Sequence, residues 1–147
     1  MKLFHFRIHL VVIVVLVTLA GCQYFHGSVL PLIREVTKVK MPGHLKTISE
    51  FDNGEWIAGG KYMIKEEDLK TFLAENAFQP IGKQTSYVSL FNTLSKEYHI
   101  PLSDSLHLKY ISDCQGEHSW VFTVNENTGE LWVEVQYPDW GGKGPCD

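Results

Sequence analysis

Three cysteines, Cys22, Cys114 and Cys146, are the strongest nucleophiles available to this 147-residue chain, and seven histidines are its best metal ligands. In the body of the chain His26, His44, His99, His107 and His118 show neither HxxxH nor HExxH spacing, so no helix presents paired imidazoles to a zinc ion. His118 with Asp113 across a turn is an acid–base or metal pair on paper. Equally, both are polar residues of a loop before a strand. Glu66-Glu67-Asp68 reads as a solvated helix start, and Glu130 with Glu134 as two positions of one strand. There is no GxSxG elbow, and Gly141-Gly142-Lys143-Gly144 lacks the leading strand and the following Ser or Thr of a phosphate loop. No catalytic residues, metal ligands or cofactor are expected from these patterns.

The amino-terminal segment has a different composition from the rest. Lys2 and Arg7 are its only charges up to residue 21, and Ile8–Ala20 is almost wholly apolar. Such a run of about 13 residues spans ~20 Å as a helix, short of the ~30 Å hydrocarbon core of a bilayer. A basic start, a short apolar core and a small-residue end describe a secretory signal peptide instead.

Leu19-Ala20-Gly21-Cys22 closes that run, and the tetrad resembles the lipobox of bacterial lipoproteins. The resemblance covers the signal region only. It implies cleavage after Gly21, a thioether lipid on Cys22, and acylation of the new amino group in many species. Two or three acyl chains anchor stably where one binds only marginally, at ~0.8 kcal/mol per buried methylene. An Asp after the cysteine favours inner-membrane retention in Gram-negative lipoproteins. Gln23 stands there, which points to the outer membrane, facing the periplasm, if the host is Gram-negative. The expected organisation is a signal peptide over 1–21, a membrane-proximal segment over 22–44 and one domain over 45–147.

Loss of Lys2 and Arg7 leaves 11 of the 13 basic side chains against 17 acidic ones, a formal charge of −6. Phosphate binding needs clustered Lys and Arg, so nucleic acid is not an expected partner. Residues 24–36 carry Tyr24, Phe25, Val29, Leu30, Leu32, Ile33 and Val36, too apolar for a free tether. The segment is expected to pack on the domain, or else to lie in the membrane interface.

The fold class expected is α+β: a small antiparallel sheet, built from an N-terminal hairpin and a C-terminal three-stranded meander, with two helices. Leu45–Phe51 and Glu55–Ile64 flank Asp52-Asn53-Gly54, a hairpin turn signal, and Gly59-Gly60 suggests a bulge or bend. Leu69, Phe72 and Leu73 put one apolar face on a helix over 65–76, with Asn76 as its stop. Tyr87, Leu90, Phe91, Leu94 and Tyr98 predict a second helix over 87–98, capped by Ser86 and halted before Pro101. Three alternating runs follow, around Leu106–Tyr110, Trp120–Val124 and Leu131–Tyr137, with Asn127-Thr128-Gly129 as the last hairpin loop. Trp132 and Val121 fall on the nominally polar face of the meander, so a cover is expected there.

With Cys22 assigned to lipid by the lipobox resemblance, Cys114 and Cys146 are the even pair left in an oxidising compartment. The first and third strands of a meander end on the same side, so the tail after Tyr137 can fold back to Cys114. Closing that loop stabilises the fold by ~3–4 kcal/mol on chain-entropy grounds. The bond would also pin the tail Tyr137–Asp147, where Asp139, Trp140 and Lys143 form a candidate partner-binding group. Trp140 could instead serve as a lid on the core. Two functional readings follow. One is a non-enzymatic protein-binding module of the envelope, such as an accessory subunit, an inhibitor or an immunity-type protein. The other is an enzyme acting on an envelope polymer such as peptidoglycan.

Overall fold

The computed structural model describes residues 27–54, 56–81, 107–115 and 118–138. They form two helices and one six-stranded antiparallel sheet, an α+β domain. The strands are β1 (Leu45–Asp52), β2 (Ile57–Ile64), β3 (Gln79–Pro80), β4 (Leu108–Gln115), β5 (His118–Asn125) and β6 (Glu130–Gln136), in the spatial order β1-β2-β6-β5-β4-β3. The hairpin and the meander thus make one continuous sheet, joined where β6 pairs with β2 along Ile57↔Gln136 to Met63↔Glu130.

The hairpin turn is built by side chains. Asn53 Oδ1 accepts the backbone N–H groups of Trp56 and Ile57, and Asp52 Oδ1 accepts that of Gly54. Gly54 (φ 71°) and Gly129 (φ 74°) take the left-handed conformations that their two turns require. Gly59-Gly60 makes no bulge, against the expectation from sequence. Both residues pair regularly, and the register slips instead between Thr47 and Ser49, leaving Ile48 as the extra residue of β1. The two glycines answer to close approach. A Cβ on Gly59 would collide with the Val133 carbonyl oxygen, and one on Gly60 would stand 2.5 Å from the Tyr62 hydroxyl. Tyr62 is fully buried and donates its hydroxyl proton to Glu50 Oε1 at 2.8 Å, so its ring cannot yield.

Helix α1 (Leu30–Val36) starts with Pro31 in its first turn, where the missing N–H costs nothing, and Ser28 Oγ accepts the Leu30 N–H. Helix α2 (Glu66–Glu75) sets Glu66, Glu67 and Asp68 at the positive end of its dipole and buries Leu69 and Phe72. It stops at Asn76 through a side chain rather than a left-handed residue. The Asn76 amide donates to the Phe72 and Lys40 carbonyls, and its oxygen accepts the Lys40 N–H at 2.9 Å. That one residue ends α2 and staples the 37–40 segment to it.

Both helices lie on the same face of the sheet. Val29, Ile33 and Val39 from the N-terminal segment join Leu69 and Phe72 of α2 against Tyr62, Ile64, Trp120, Phe122, Val124, Leu131, Val133 and Val135. Residues 29–39 are therefore part of the domain's core, as their apolar character demands. The helix predicted over 87–98 lies outside the described residues. On β4 the pairing Ile111↔Phe122 turns Ile111 to the helices, whereas Leu108 pairs with Asn125 on the opposite face. That opposite face is shielded from solvent as well, with Leu108, Val121 and Trp132 at no more than 1% exposure.

Candidate functional site

One end of the sheet gathers a turn, a strand start and a strand exit. Asp52 pairs with Ala58, Ala58 with Val135, Val135 with Trp120, and Trp120 with Asp113. Beyond that row stand the β1–β2 turn, the start of β5 and the exit of β6. The exit is fastened to the turn, because the Tyr137 N–H bonds the Trp56 carbonyl at 2.8 Å. Tyr137 also donates its hydroxyl to Asp52 Oδ2 at 3.1 Å, and its ring meets His118 edge-on at 6.1 Å. Burial, then the bond to Asp52 and its charge, push the Tyr137 hydroxyl up to about 12, so it remains a proton donor across the physiological range.

Trp56 stands out on this end. Its side chain is 47% exposed, while its backbone is held on one side by Asn53 and on the other by Tyr137. A large apolar surface on a pinned loop loses little conformational freedom when a partner covers it. The sequence reading placed Trp56 inside a strand beginning at Glu55. The strand begins at Ile57, and the Asn53 side chain holds the intervening residues as a turn.

Asp139, Trp140 and Lys143 lie outside the described residues. Cys22 and Cys146 also lie outside. Cys114 is disulfide-bonded, and its partner falls outside the described residues. Asp113 and His118 turn to different neighbours: the Asp113 carboxylate accepts the Cys114 N–H at 2.8 Å, while the His118 ring meets Tyr137.

A second polar group sits on the sheet face away from the helices. Ser119 Oγ donates to Gln136 Oε1 at 3.0 Å, and Gln136 Nε2 donates to Glu134 Oε1 at 3.4 Å. Glu134 is 1% exposed between Gly59 and Val121. Its Oε2, the Trp132 indole N–H and the Thr123 hydroxyl are buried without hydrogen-bond partners. Burial pushes the Glu134 carboxyl up to about 7, against a smaller opposing effect of the Gln136 bond. Along β6, Lys61 sits opposite Trp132, pairs with Glu130 at 2.7 Å and lies 5.3 Å from the Trp132 ring centre. Sequence reading left Glu134 as one of two carboxylates on a strand, although Trp132 and Val121 on the same face had already pointed to a cover.

Among the described residues, no group of three or more His, Cys, Asp or Glu side chains is placed to hold a metal ion, and no helix is long and apolar enough to cross a membrane. No known protein family, curated protein or solved structure matches the chain.

Proposed function

We propose that this chain is a lipid-anchored envelope protein, held to the membrane through Cys22, whose α+β domain is a non-enzymatic module that binds another protein. The carrying observation is Trp56, half exposed on a turn whose backbone is fixed from both sides. Trp is the residue type most able to anchor an interface, and the surrounding Tyr137 and His118 extend the aromatic surface. The chain continues from this end into Asp139, Trp140 and Lys143, which we assign to the same binding surface, with the tail tied back by a Cys114–Cys146 disulfide. An accessory, inhibitory or immunity-type role fits such a surface. The polymer-hydrolase reading is disfavoured by Glu134, the one described carboxyl raised toward neutrality, because a group 1% exposed cannot reach a polymeric glycan.

Replacement of the exposed indole separates binding from folding. Trp56→Ala is expected to leave the melting temperature within about 2 °C, since substitutions at exposed positions shift stability by no more than ~0.5 kcal/mol. Capture of an envelope partner should weaken at least ~30-fold, the loss that accompanies ~2 kcal/mol at an interface hot spot. Undiminished capture by Trp56→Ala overturns the assignment. The anchor has its own check. Cys22→Ser should abolish lipid labelling and leave the precursor uncut, and mass spectrometry of an unmodified N-terminus beyond residue 22 in the native protein would refute it.

A further inference from the structure

Positive charge is segregated along the strands of the sheet, although the half with the lysines also holds Glu130 and Glu126, which pair with Lys61 and Lys109. Lys46, Lys61 and Lys109, the lysines of the long strands, all pair within the half next to the β5–β6 turn, opposite Met63, Trp132 and Val124. The other half carries Asp52 and Asp113, both exposed, on the row that borders Trp56 and Tyr137. From Ser49 to Gly59, and again from Ile111 to Val121, the sequence contains no Lys or Arg, while it has Glu50, Asp52, Glu55, Asp113 and Glu117. Two stretches far apart in sequence thus lack Lys and Arg, and their described carboxylates Asp52 and Asp113 stand on one row at one end of the sheet.

We infer that the partner seated on the Trp56 end presents a basic surface, rich in Lys or Arg, that spans from Asp52, beside the turn that carries the exposed indole, to Asp113 four strands away on the same row. This rests on the binding reading above and adds the chemistry of the occupant. Guanidinium groups suit both halves of the surface, since they pair with carboxylates and stack on aromatic faces. Carboxylates at the rim steer a basic partner and reject an acidic one, while the indole supplies the apolar contact.

The test is a titration of the full-length isotopically labelled protein, in zwitterionic detergent, with an arginine-rich peptide of about ten residues and with a glutamate-rich counterpart. The arginine peptide should shift the Trp56 indole and the backbone signals of Gly54, Asp113 and Tyr137, and the shifts should fade at high salt. Asp113→Asn should weaken binding by up to about fivefold, the scale of an exposed ion pair. Asp52→Asn keeps the oxygen that caps Gly54 and should act in the same direction. Shifts centred on the lysine half of the sheet, equal binding of the glutamate peptide, or no saturable binding overturn the assignment. If capture of the envelope partner is lost in Trp56→Ala but ignores both salt and Asp113→Asn, the binding end stands and its basic occupant does not.

Discussion

The stability of the wild-type protein is expected to fall between pH 4.5 and 7, and Glu134→Gln is expected to flatten that dependence. The folded protein holds the Glu134 proton up to about pH 7, because burial disfavours the carboxylate, whereas an ordinary carboxyl releases it near 4.5. Between those values the folded state binds one proton more than the unfolded state, so raising the pH favours unfolding. Stability from this group is fully present below pH 4.5, declines as the pH rises through 7, and is unchanged above. The full span is about 3 kcal/mol, or roughly 10 °C in melting temperature for a domain of this size. Glutamine mimics the neutral acid, keeps the oxygen that accepts the Gln136 N–H, and cannot ionise. The variant should therefore melt higher than wild type at pH 8 and match it at pH 4.5. Parallel melting curves for the two proteins across that range would show that Glu134 does not carry the proton.

The second large effect is steric. Gly59→Ala places a methyl group against the Val133 carbonyl oxygen of the adjoining strand and within 3.0 Å of the Phe51 ring. Backbone is the obstacle, so no rotamer change relieves it, and β2 must move away from β6. Overpacking of this kind costs about 3 kcal/mol where the surroundings cannot relax, and the junction of hairpin and meander is such a place. Gly43→Ala is the matched control, because a Cβ there meets nothing within 4 Å. Its expected effect is neutral to slightly stabilising, by up to ~1 kcal/mol through the unfolded state. Equal melting temperatures for the two variants would remove the close-approach account of Gly59.

The local features of the fold were readable because each depends on a few neighbours. Asn53-Gly54 specifies its own turn, Leu69-Phe72-Leu73 its own helical face, and Gly129 its own loop. Long-range pairing leaves no such mark. That β6 lies beside β2 follows from burying a shared face, and no short stretch records it. Helix α1 escaped notice because seven residues with Pro31 in the first turn show too little periodicity. Gly59-Gly60 was legible as unusual but misread: the glycines serve the Val133 carbonyl and the Tyr62 ring, and the extra residue belongs to β1, at Ile48, between the partners of Tyr62 and Lys61. Leu108 and Tyr110 were legible as the apolar positions of an alternating run, with nothing to say which face of the sheet they take. They sit on the face away from the helices, which a sheet covered on both sides makes equally apolar.

The binding surface was visible only in part. Asp139, Trp140 and Lys143 stood out as an aromatic and charged group in a Pro/Gly-rich tail, whereas Trp56 was absorbed into a strand by its apolar character. Recognising it required the Asn53 side chain, which takes the N–H groups of both Trp56 and Ile57 and so delays the strand. Glu134 carried only an indirect signal, the cover expected over Trp132 and Val121 on its own face, because its chemistry arises from burial.

A photo-crosslinking residue placed at position 56 of the full-length protein in living cells tests the central claim most directly, with Thr128, exposed at the opposite end of the sheet, as the paired control. Irradiation should join one discrete envelope protein to position 56 and none to position 128. A discrete adduct at position 128 with none at position 56 would contradict the account.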